Sequence, residues 1–103
     1  MKPRDVRITV LRKLEIEEVY TEFAAQNTPQ ICSRMREEYE FVSRGMQMPS
    51  EFCSWAWADI QREVVFLALG GNYPWIRQSG TEIVCCGDGL HLVLYKLERM
   101  EET

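Results

Sequence analysis

A chain of 103 residues has room for one domain, residues 1–103, and for a single core. Hydrophobic residues at 46% and charged residues at 27% exclude a disordered or low-complexity chain, and a net charge of −4 disfavours a broad grip on nucleic acid or an anionic membrane. Four cysteines and three tryptophans are the unusual feature of so short a chain.

Val6, Ile8 and Val10 alternate with Arg7 and Thr9 and predict a first strand with one apolar face. Ile16, Val19, Tyr20 and Phe23 have helical spacing over 15–26, with acids early, where the helix dipole favours them. Asn27-Thr28-Pro29 ends that helix, and Cys32 falls in the next connection. Residues 38–43 predict a second strand, followed by a turn-rich link from Arg44-Gly45 to Pro49. The strongest helix covers about 51–69, where Cys53, Trp57, Ile60, Val64 and Leu67 form a stripe that Ala56, Val65 and Ala68 widen. Apolar around most of its circumference, it should be central and largely buried. Gly70-Gly71-Asn72 is its stop signal. Thr81–Cys86 and Leu90–Leu97 flank Gly87-Asp88-Gly89 as a hairpin. The expected fold is a small α+β domain. A mostly antiparallel sheet (N-terminal strand, middle strand, C-terminal hairpin) packs on the helix at about 51–69 and the shorter one at about 15–26.

The N-terminus lacks the apolar core of a signal peptide, and Val64–Leu69 is too short to span a bilayer. A cytoplasmic location is expected, where thiols are normally free, liganded or catalytic.

Adjacent cysteines on a strand point to opposite faces. With Asp88-Gly89 as a two-residue turn, the preferred reading, Cys86 sits opposite His91, and Cys85 shares the core face with Ile83, Leu92 and Leu94. With a three-residue loop, Cys86 pairs with Leu90 and His91 moves to the other face. Zinc or another soft metal is one candidate ligand for the thiols. Its ligands would be Cys32, Cys53, and Cys85 or Cys86, with His91 or Asp88 as the fourth. The chain has no C-x-x-C, so these groups would have to converge through tertiary structure. A reactive thiol is the second candidate, with Cys53 near a helix N-terminus or Cys86 as nucleophile and His91 as base. The plainer account is that cysteine packs as a small hydrophobe.

Trp55 is displaced about 200° from Trp57 around a helix, so the two cannot share one core face. Trp57 belongs to the core stripe, and Trp55 or Trp57 is expected to line a pocket with Trp75. Asp59, one turn after Trp55, and Asn72 and Asp88 are the polar candidates there, against ordinary roles as a solvated helix residue and turn residues. No phosphate-loop, G-x-S-x-G, H-E-x-x-H or EF-hand pattern is present.

Three segments, CSWAWADI (53–60), GGNYPW (70–75) and CCGDGLHLVLYKLER (85–99), together resemble a family of small prokaryotic proteins of about this length whose function is uncharacterised. The family pattern is C-x-W-A-W-A-D, G-G-N-[FY]-P-W and C-C-x-D-G-L, and the likeness covers nearly the whole chain. Cys32, Cys53, Cys85, Cys86, Trp55, Trp57, Asp59, Gly71, Asn72, Trp75 and Asp88 occupy motif positions. Ser33 and Ser54 stand where the pattern has proline, Glu38 where it has glycine, and His91-Leu92 where it has arginine-proline. The resemblance implies no activity, cofactor or substrate.

The expected function is a cytoplasmic binding or accessory domain with a thiol- and tryptophan-lined cleft. The cleft should lie at the N-terminal end of the central helix, near the Gly-Gly-Asn loop and the hairpin. Its ligand would be a metal ion, a small molecule or a partner protein. The alternatives are a thiol-dependent redox protein or enzyme using Cys53 or Cys86, and a structural subunit whose apolar surface is covered by homo-oligomerisation.

Overall fold

The alternation that begins at Val6 runs further than expected. In the computed structural model, which describes residues 2–29, 31–32 and 35–101, strand β1 spans Val6–Leu14. It is followed by α1 (Glu17–Phe23), β2 (Glu40–Ser43), α2 (Ser54–Ala68), β3 (Thr81–Cys86) and β4 (Leu92–Arg99). The strands form one antiparallel sheet in the order β2-β1-β4-β3, and α2 packs on one face of it. This is the α+β architecture expected.

Side chains alternate across the sheet, so one face of each strand supplies the core. Val6, Ile8 and Val10 of β1 and Val93, Tyr95 and Leu97 of β4 are buried against Ala56, Ile60, Val64, Leu67 and Ala68 of α2. Each large side chain removed from water contributes about 1.5–3 kcal/mol. Phe52, just before α2, closes one end of this core. Its ring meets Phe41 at 4.9 Å and Trp57 at 6.3 Å edge-on, and lies 5.7 Å from Tyr95.

Val10 pairs with Tyr95 but Arg12 pairs with Leu94, leaving Leu11 as an extra residue in a β-bulge. Before the bulge, even-numbered residues face α2. After it Lys13 does, paired with the buried Val93, and its Nζ donates to the Cys32 carbonyl at 3.0 Å. The bulge therefore carries β1 beyond Val10, where a strict alternation would end.

Several boundaries differ from expectation, each for a local reason. α1 is shorter than 15–26 and buries none of its residues, so it does not pack in the core. β2 begins at Glu40 because Glu38 has φ +73°, outside strand conformation. α2 starts at Ser54, after Glu51 at φ +64°. It is not largely buried: one sheet covers only one stripe of it, and Trp55 and Phe66 remain exposed. β4 starts at Leu92 rather than Leu90, which lengthens the hairpin loop.

The stop signal behaves as read. Gly70 takes φ +96°, its N–H donates to Leu67 O, and the Gly71 N–H reaches back to Phe66 O at 2.8 Å. Arg99 completes this end. Its Nη1 donates to the Leu67 and Gly71 carbonyls (3.0 and 2.6 Å) and its Nη2 to Asn72 Oδ1 (2.9 Å), placing a cation at the negative end of the helix. No helix among the described residues is long and apolar enough to cross a membrane.

Candidate binding cleft

The hairpin register decides which thiol faces the helix. Cys86 pairs with Val93 and Cys85 with Leu94, so neither expected register is present, and a longer loop joins the strands. The observed pairing is offset from the preferred one by two residues on β4, which keeps Cys86 and His91 on one side. The preferred assignment of the core face was inverted, however. Cys86 is buried with Val93 and Tyr95, whereas Cys85 and Ile83 lie on the open face of the sheet.

The loop is held by its own chemistry. Gly87 has φ +99°, and a Cβ there would stand 2.2 Å from the His91 carbonyl oxygen, so only glycine fits. The Gly87 N–H donates to Asp59 Oδ2 at 3.0 Å, tying the loop to α2. Asp88 Oδ1 accepts from the Leu90 N–H (2.8 Å) and lies 3.0 Å from His91 Nδ1, while His91 Nε2 lies 2.7 Å from the Pro29 carbonyl oxygen. Both ring nitrogens thus face acceptors, an arrangement only the imidazolium satisfies fully. The Pro29 carbonyl and Asp88 raise the His91 pKa, and the Leu90 N–H and His91 lower that of Asp88.

Behind this rim lies a cleft of about 360 Å³ at the N-terminal end of α2. Cys32, Cys53, Cys86, Trp55, Asp88 and His91 all line it, with Tyr95 and Met35 also contributing to its walls. Cys86 Sγ and Tyr95 Oη share a hydrogen bond at 3.2 Å. Burial pushes the Cys86 thiol up to about 11, partly offset by that hydrogen bond. Burial, followed by the same hydrogen bond, raises Tyr95 also. Both groups are therefore protonated at neutral pH, and Cys86 does not present the thiolate that its candidacy as a nucleophile required.

The cleft does not gather every expected residue. Trp57 is half-buried against Phe52 in the core. Asp59 braces the loop instead of lining the cleft. Asn72 and Trp75 follow the opposite end of α2, a helix roughly 22 Å long, so the Gly-Gly-Asn loop is not near the cleft as expected. Asn72 Oδ1 accepts from Ser79, Gly80 and Arg99, and Trp75 packs at a tilt against Tyr73, which packs at a tilt against Phe66.

The four cysteines are not joined in disulfides. Among the described residues, no three His, Cys, Asp or Glu side chains are grouped closely enough to hold a metal ion. Cys85 is on the wrong face and both His91 nitrogens are engaged, so the expected zinc or soft-metal set does not assemble from Cys32, Cys53, Cys85, Cys86 and His91. Sequence reasoning missed Tyr95, Pro29, Met35 and Arg99. The first three carry no motif, and the preferred register placed Leu92 and Leu94 on the core face, which turned Tyr95 outward. No family model, curated protein or solved structure significantly matches the chain.

Proposed function

We propose that this protein is a small binding domain whose thiol- and tryptophan-lined cleft takes one small apolar molecule, or an apolar side chain of a partner. The observation carrying this reading is the convergence of three cysteines, Trp55 and the Asp88–His91 pair on a single cleft. Its volume falls in the range of small-molecule sites, and its mostly apolar wall with a few polar groups at the rim is what such sites use for affinity and orientation. The protonated state of Cys86 supports binding over thiol chemistry. Four thiols without disulfides fit a cytoplasmic protein.

Two of the three segments that carry the resemblance to small prokaryotic proteins, those around Cys53 and Cys86, wall the cleft. Glu38 supports that resemblance: it takes a left-handed φ where the family pattern has glycine.

Ligand-observed NMR with a set of small apolar fragments tests the proposal. Fragments should bind with Kd below about 1 mM and lose binding in Cys32→Phe, which plugs the cleft from a half-buried position. Trp75→Ala should leave binding intact. No binding at that level, or binding indifferent to Cys32→Phe, sinks the reading.

A further inference from the structure

Two surfaces are left uncovered by the fold, and they are complementary. The first is α1. Val19 and Phe23 lie on one stripe of this helix, Ile16 is its N-cap residue, and all three are exposed, Phe23 at 69%. Glu15, Glu17, Glu18 and Glu22 surround the stripe, and 15–29 contains no basic residue. None of these acids makes an ion pair among the described residues.

The second is the face of the sheet turned away from α2. Register places Cys85, Leu94 and Arg12 in one row across it, Ile83, Lys96 and Thr9 in the next, and Leu92 beside Leu14. Ile83 and Cys85 are exposed, and Leu14, Leu92 and Leu94 are half-buried. Lys96 and Arg7 share Glu98, but Arg12, beside Leu94, has no ionic partner among the described residues. An apolar centre with an unpaired cation thus stands open in the same chain as an apolar stripe with unpaired acids.

These surfaces do not meet within one chain, because α1 buries none of its residues. The molecule is also extended, 49 × 29 × 20 Å with a radius of gyration of 14.8 Å, against roughly 13 Å for a compact domain of this length. We infer that the protein forms a two-fold dimer in which α1 of each copy lies on the open sheet face of the other. A two-fold axis satisfies both helices and both faces at once, which gives a closed pair instead of a chain of subunits. Ile16, Val19 and Phe23 would cover Ile83, Leu92 and Leu94, with the α1 acids about Arg12. The cleft is on the other face of the sheet and stays open in the dimer.

Sedimentation equilibrium of the intact protein tests this. The expected mass is twice the 12.1 kDa of one chain, at concentrations up to about 1 mM. Phe23→Asp and Arg12→Glu both alter exposed side chains and should leave the circular dichroism unchanged while weakening association at least about 10-fold. A protein that stays monomeric throughout, or a dimer whose Kd either substitution leaves unchanged, overturns the inference.

Discussion

The Nε2 of His91 lies 2.7 Å from the carbonyl oxygen of Pro29, joining the hairpin loop to a segment 62 residues earlier. With Asp88 on the other ring nitrogen, this contact depends on protonation. The folded protein raises the His91 pKa above its ordinary 6.5, so it holds this proton more tightly than the unfolded chain does. The resulting stability is fully present below pH 6.5 and fades as pH rises through the higher folded value. His91 is the only histidine, so its ring resonances in an NMR titration report this directly. A midpoint above 6.5 is expected. His91→Ala should remove this part of the pH dependence of urea unfolding. A midpoint at or below 6.5 contradicts the bridge.

Gly87 and Gly89 sit two residues apart in one loop yet should respond differently to substitution. Gly87→Ala forces a side chain into left-handed backbone and against the His91 carbonyl, and should cost at least about 1–2 kcal/mol. Gly89→Ala meets nothing within 4 Å and should be nearly neutral. Chemical denaturation of both variants measures the contrast.

Cys85 and Cys86 offer a second paired comparison. Iodoacetamide at pH 8 should modify the exposed Cys85 readily. Cys86, 6% exposed and with its thiol raised to about 11, carries roughly one thiolate per thousand molecules at that pH. Mass mapping should find Cys86 unmodified until the protein unfolds. Equal labelling rates would contradict its burial.

Much of this arrangement was legible in the residues themselves. Period-two alternation located β1 and period-3.6 spacing located α2, because burial on one face leaves a repeat that a single sequence displays, while β3 and β4 were located as apolar runs on either side of a turn signal. The hairpin register was not legible. A turn signal such as Gly87-Asp88-Gly89 marks where a chain reverses, but a longer loop held by Asp59 and Pro29 depends on residues far away in sequence. The same limit hid the split between the two ends of α2. Asn72 and Trp75 look like site residues by type, yet the hydrogen bonds that Asn72 makes serve the helix terminus.

That split is itself measurable. Asn72→Ala removes the acceptor shared by Ser79, Gly80 and Arg99 and should destabilise the protein by about 1–3 kcal/mol. Fragment binding at the cleft should be unaffected under conditions where the variant is folded. A variant of full stability would show that Arg99 alone holds the terminus.

Glu38 gives a prediction of opposite sign. Its left-handed φ strains a non-glycine residue, so Glu38→Gly should raise stability by about 0.5–1 kcal/mol after the added flexibility of the unfolded chain is counted. Thermal unfolding of the two proteins decides it.

The extra residue in β1 has a consequence for how this chain tolerates change. Leu11 acts as a phase shift between two halves of one strand: even positions are inward before it, and Lys13 is inward after it. Deleting Leu11 would leave Arg12 and Lys13 opposite the partners they have now, Leu94 and Val93, and would make the strand regular with Lys13 still inward beside the Cys32 carbonyl. Point substitutions at this exposed position alter little, and removing the residue straightens the strand without changing which side chains face α2. Leu11 is therefore a position where the strand tolerates both a change of residue and the loss of one.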